Sequence, residues 1–197
     1  MGNLIYIDAG GHTGQSIERF KQMPSYNHDS KIYSFECHPR CYEVLKSYET
    51  NNIQVSNKAV WIEDGEIEFF LDMLDEANNP VWPYNYPGQA STISEVKAHR
   101  GIQGQFSSKS KVKVPCFDFS KWIFENFKED DYIFLKMDIE GSEYNVLEEM
   151  LKTGAINLIN DLDIEFHWHK VGLEKHIHDY IVGELEKTNV NLNIRSH

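Results

Sequence analysis

The chain has 197 residues, 41% hydrophobic and 25% charged, and its 19 Lys and Arg against 31 Asp and Glu leave a net charge of −12 with histidine neutral. That length suits one globular domain, here residues 1–197, and so acidic a surface repels phosphate backbones and anionic membranes, which argues against a nucleic-acid partner. No apolar run reaches membrane-spanning length, no basic segment precedes an apolar stretch at the start (MGNLIYIDAGG), and three cysteines (Cys37, Cys41, Cys116) make no disulfide scaffold, so the expected location is cytoplasmic.

Four short apolar runs each end in a carboxylate: LIYID at Asp8, KIYSFE at Glu36, YIFLKMD at Asp138 and LDIE at Glu165. Continuous Ile-, Tyr- and Phe-rich runs suit strands covered on both faces, hence a mainly parallel sheet. Helical patterns alternate with them. QSIERFKQM follows Gly14, PRCYEVLKSYE opens on Pro39, FSKWIFENF follows Asp118 as N-cap, and EYNVLEEMLKTG runs from Ser142 as N-cap to Gly154. The last helix is predicted from Leu173 to Lys187. The alternation predicts an α/β, Rossmann-like open sheet with helices on both faces. Residues 72–111, with NNPVWPYNYPGQAST, lack periodicity but keep aromatics, and so read as one long lid-like insertion.

Ligands of open parallel sheets bind beyond the carboxyl ends of the strands, so four terminal acids surround one crevice. DAGGHTG is a glycine-bearing turn from strand to helix, and Glu36 lies 36 − 14 = 22 residues after Gly14, where a dinucleotide fold places its ribose-binding acid. His12 stands where a dinucleotide would need close backbone approach, and Asp8 would repel a pyrophosphate. A negatively lined pocket suits a donor with an ammonium and a sulfonium, S-adenosylmethionine, with an NAD-dependent oxidoreductase as the alternative.

These motifs resemble the FkbM family of S-adenosylmethionine-dependent O-methyltransferases. IDAGGHTG is similar to its first motif and SFECHP to its acidic second-strand end. NKAVWIEDGEIEFF resembles its third strand plus hairpin, and STI and VPCFDF two shorter landmarks. FLKMDIEGSEYNVLEEM is close to the signature Lys-x-Asp-x-Glu-Gly-x-Glu, and LDIEFHWH resembles the fifth-strand end. The resemblance implies a class I methyltransferase fold, seven-stranded in most members. This chain starts just before its first strand and ends after one late strand-like stretch, NVNLNIRSH, which reads as a minimal enzyme or a domain of a longer polypeptide. The resemblance further assigns Asp8, Gly10 and Gly14 to the methionine end of the donor and Glu36 to the ribose. Asn57 to Ala59 would border the adenine, with His12, Ser91 and Thr92 as further contacts.

Methyl transfer to a hydroxyl needs a positioned nucleophile and a proton acceptor. The candidates cluster at two strand ends: Lys136, Asp138, Glu140 and Glu143, then Asp163, Glu165, His167 and His169. If the later strand continues, Glu165, His167 and His169 share one face. Asp138, Glu165 and His167 could hold a divalent metal, Mg²⁺ or Mn²⁺ before Zn²⁺. The metal-free alternative makes His167 or His169 the base. Lys136 and Asp138 can equally form a structural ion pair, and Glu143 can be only an acidic first-turn residue. Trp82, Tyr84, Tyr86, Trp168 and His169 are candidate substrate contacts, since flat aromatic faces with polar tips suit a sugar or glycan. A non-catalytic carbohydrate-binding module on the same fold is the remaining alternative.

Overall fold

The computed structural model describes residues 2–71, 92–93 and 111–195. Its first strands and helices are β1 (Leu4–Ala9), α1 (Gln15–Lys21), β2 (Lys31–Phe35), α2 (Pro39–Leu45) and β3 (Ile53–Ser56). Then follow β4 (Ala59–Trp61), β5 (Gly65–Phe70), β6 (Lys111–Asp118), α3 (Phe119–Asn126), β7 (Tyr132–Met137) and α4 (Glu143–Thr153). The chain continues through β8 (Asp161–Glu165), α5 (Trp168–Val171), α6 (Lys175–Leu185) and β9 (Asn191–Arg195).

The principal sheet runs β3-β2-β1-β7-β8-β9 and every neighbouring pair is parallel. Parallel strands must be covered on both sides, and alternation along β1 does this. Ile5, Ile7 and Ala9 pack with Phe119, Ile123 and Leu147 from α3 and α4, and Ile181 from α6. Tyr6 faces the other way onto Ile17 and Phe20 of α1 and Leu45 of α2. Fully burying side chains of this size is worth about 1.5–3 kcal/mol each.

Local signals place the helices. Asp118 accepts the N–H of Lys121 at 2.9 Å, His38 accepts that of Cys41 at 3.4 Å ahead of Pro39, and Gly154 at φ 82° stops α4. Ser142 is the N-cap residue of α4 but makes no side-chain cap bond.

The principal sheet has six strands among the described residues, with the one late strand-like stretch read from the sequence forming β9 directly on β8. Two expectations are corrected. The segment read as a hairpin does not pair with itself: β6 lies between β4, which it meets in parallel, and β5, antiparallel to it. The last helix begins two residues later than predicted, because Trp168–Val171 forms its own short turn closed by Gly172 at φ 73°. The lid-like insertion, with Trp82, Tyr84, Tyr86 and Ser91, falls outside the described residues except for Thr92, Ile93 and Lys111, which opens β6. No helix among the described residues is long and apolar enough to cross a membrane.

Candidate functional site

The turn after β1 is fixed from both sides. Gly10 has φ +89°, and a Cβ there would sit 1.9 Å from the carbonyl oxygen of Asp138. Its N–H and that of Gly11 donate to the Phe35 carbonyl at 3.1 and 2.9 Å, which ties the turn to the end of β2. The close approach expected of a ligand is thus made at Gly10 by the protein's own backbone. At Gly14, φ +98°, it is the Tyr48 ring that a Cβ would strike, at 2.5 Å. Glu36 completes this end. Its carboxylate accepts the His12 N–H at 2.8 Å and the His38 N–H at 2.7 Å. Burial pushes its pKa above the ordinary carboxylate value despite those two donors.

Strand register builds a polar row beneath α1. Ser34, Asp8, Lys136, Asp163 and Asn193 are successive partners across β2, β1, β7, β8 and β9. Ser34 Oγ donates to Asp8 Oδ2 at 2.9 Å, and Lys136 Nζ lies 3.2 Å from Asp8 Oδ1 and donates to the Gly10 carbonyl at 2.6 Å. Asn193 and Arg19 both donate to Asp163 at 2.8 Å. Asp8 is wholly buried. It therefore pairs with Lys136 and does not line the cavity, and with its charge matched it no longer argues against a pyrophosphate.

The ends of β7, β8 and β9 meet in a denser cluster. Glu143 is fully buried, and its Oε1 accepts the N–H groups of Ile139 and Gly141, each at 3.1 Å, while facing His167 Nδ1 at 2.9 Å. A carboxylate at Glu143 favours a proton on Nδ1 and fixes the ring orientation, which points Nε2 inward. Nε2 then faces Glu140 Oε2 at 3.4 Å, Glu165 Oε1 at 3.4 Å and Asp138 Oδ1 at 4.0 Å. One donor atom from each of Asp138, Glu140 and His167 falls within 4.8 Å of the others. Such a donor set could hold a cation. Glu140 adopts φ 57°, rare for a residue with a side chain, and its carbonyl accepts the Thr92 hydroxyl at 2.6 Å. Arg195 closes the cluster, 3.3 Å from Asp138, 3.4 Å from Asp163 and 3.6 Å from Glu165. Burial raises the Asp138 carboxyl, but Lys136 and Arg195 outweigh it and hold it below its usual value.

A cavity of about 540 Å³ joins the two ends. Of the predicted donor contacts, Gly10, His12, Glu36 and Ala59 line it; Asp8, Gly14, Asn57 and Thr92 do not, and Ile93 lines it in place of its neighbour. Lys136, Asp138 and Glu140 line the other end, with His167 buried behind them and Glu165 off the wall. The expected shared face of Glu165, His167 and His169 does not form, because the strand stops at Glu165. His169 is exposed, and Trp168 stacks on His178 with ring centroids 5.7 Å apart, so both leave the wall. Nor is the wall negative among the described residues. Arg19, Lys58, Lys136, Lys170 and Arg195 line it against Glu36, Asp138 and Glu140. Arg19, Lys170 and Arg195 escaped the sequence reading because no motif singles out basic residues contributed by three separate elements.

A parallel sheet with helices on both faces and a cavity beyond its carboxyl ends defines a Rossmann-like α/β domain of the class I methyltransferase type. Residues 8–190 match the methyltransferase FkbM domain, and the chain belongs to that family. No curated protein and no solved structure matches the chain.

Proposed function

We propose that this methyltransferase moves the methyl group of S-adenosylmethionine to a hydroxyl of a sugar or glycan. The observation that carries the reading is one cavity with Glu36 at one end and the Asp138, Glu140 and His167 cluster at the other. Glu36 keeps lone pairs beyond its two backbone bonds and accepts from the ribose hydroxyls. Gly10, His12 and Ala59 border the donor. In the transfer, the acceptor oxygen bonds the methyl carbon as the carbon–sulfur bond breaks; the electron pair stays on sulfur and the hydroxyl proton passes to a base at the cluster.

Asp138, Glu140 and His167, with Glu165 beside them, would hold a divalent ion, Mg²⁺ or Mn²⁺ suiting the oxygen-rich set. Such an ion lowers the pKa of a hydroxyl it binds. Glu143 then acts behind the ligands, fixing the His167 tautomer, and Lys136 ties Asp138 to the glycine turn. Trp82, Tyr84 and Tyr86, outside the described residues, are by their chemistry candidates to stack on a sugar ring, and three free thiols accord with a cytoplasmic setting.

Calorimetric titration with S-adenosylmethionine tests the donor site. Wild type should bind and Glu36→Ala should bind at least about tenfold more weakly, a loss of roughly 1.4 kcal/mol; equal affinity overturns the assignment. For the metal, turnover should fall after chelation and return with Mg²⁺ or Mn²⁺, whereas indifference to the chelator removes it.

A further inference from the structure

The donor does not account for the charge on the cavity wall. S-adenosylmethionine carries an ammonium, a sulfonium and one carboxylate, a net positive charge, so a pocket built for it alone should be acid-lined. The chain as a whole is acidic, 19 basic side chains against 31 acidic ones, yet among the described residues five Lys and Arg meet three Asp and Glu on this wall.

The arrangement is layered. Carboxylates that do not line the cavity hold the cations from behind: Asp8 behind Lys136, Asp163 behind Arg19, and Asp163 with Glu165 behind Arg195. Side chains held in this way are preorganised and lose little rotamer freedom when an anion arrives. Lys170 differs from them. It is half-buried on α5, three residues beyond His167, lines the cavity, and makes no ion pair with any described residue. Arg19 engages Asp163 through Nη2 while its side chain stays 48% exposed. Lys136, Arg19 and Arg195 are thus balanced from behind, and Lys170 is a cavity cation without a carboxylate partner among the described residues.

We propose that the methyl acceptor is an anion, a hydroxyl compound bearing a carboxylate or a phosphate, whose charged group is held by Lys170 with Arg19 beside it. This rests on the methyltransferase reading and narrows its acceptor to acidic sugars. A divalent ion at Asp138, Glu140 and His167 would add to the same attraction.

The test uses protein saturated with S-adenosylhomocysteine and titrated with sodium glucuronate, glucose 6-phosphate and glucose, followed by NMR, for wild type, Lys170→Met and Lys170→Arg. At least one anion should bind about tenfold more tightly than glucose, the scale of one charge-assisted hydrogen bond. Lys170→Met should erase most of that preference and Lys170→Arg keep it, with affinity for S-adenosylhomocysteine unchanged in both. The two anions separate a carboxylate from a phosphate. Equal binding of glucose and both anions overturns the proposal, as does a preference intact in Lys170→Met. Weaker S-adenosylhomocysteine binding by a Lys170→Met protein that melts normally also overturns it, by placing Lys170 at the donor. A wild type that takes no S-adenosylhomocysteine sinks the methyltransferase reading itself.

Discussion

The two ends of the cavity are built on different principles. At the Glu36 end, one carboxylate is held by backbone N–H groups from His12 and His38, and the surrounding turn is set by glycines and a carbonyl. At the other end, Lys136, Asp138, Glu140, Glu143, Glu165, His167 and Arg195 hold one another through side chains. Backbone-held groups tolerate changes among neighbouring side chains. A mutually held cluster is coupled, and removing one member exposes the charges of the rest.

The comparison breaks first at Asp138. Asp138→Asn should cut single-turnover methyl transfer by about 10²–10⁴-fold, the range for losing an acid–base or ligating group, while donor affinity moves little. A fall in donor affinity as large as the fall in turnover would mean that the two ends are not separable. Next comes Glu143→Ala, which strands the N–H groups of Ile139 and Gly141 and the His167 ring. Each buried donor left unsatisfied costs about 1–3 kcal/mol, so urea denaturation should show a marked loss of stability alongside lost turnover. A fully stable, inactive Glu143→Ala would show that the bonds around it contribute nothing to the fold.

The smallest effect is a titration. The Glu36 pKa is raised by burial, so its carboxylate protonates at a higher pH than an ordinary glutamate, and a protonated acid accepts ribose hydrogen bonds poorly. Donor affinity should therefore decline as pH falls, starting above the usual carboxylate range, and calorimetry on Glu36→Gln should show no such decline. A wild-type affinity flat across that range would place Glu36 away from the donor.

The same contrast governs what the sequence disclosed. The turn, Glu36 and the helices from Pro39 and Asp118 follow from contiguous residues, where spacing and capping chemistry act locally. The polar row depends on strand register, which brings Asp8 to Lys136 and Lys136 to Asp163 across a long stretch of chain, and so Asp8 read as a ligand contact instead of a buried counter-charge. Glu143 read equally well as a helix-start acid because nothing local reveals burial. His169 was placed by extending a strand that Glu165 ends. Cys37 illustrates the reverse: it lines the cavity, but burial and the charge of Glu36 push its thiol well above the ordinary value, so it stays a thiol rather than a nucleophile.

Arg195 ends β9, one of the two edge strands of the six-stranded sheet. Outer strands exchange their amides sooner than inner ones, because they open without disturbing the core. Each such opening carries the guanidinium away from Asp138, Asp163 and Glu165 together. The carboxylate end can thus lose its balancing charge while the glycine turn and Glu36 stay folded; if that end performs the transfer as proposed, activity would fade on warming before the molecule melts.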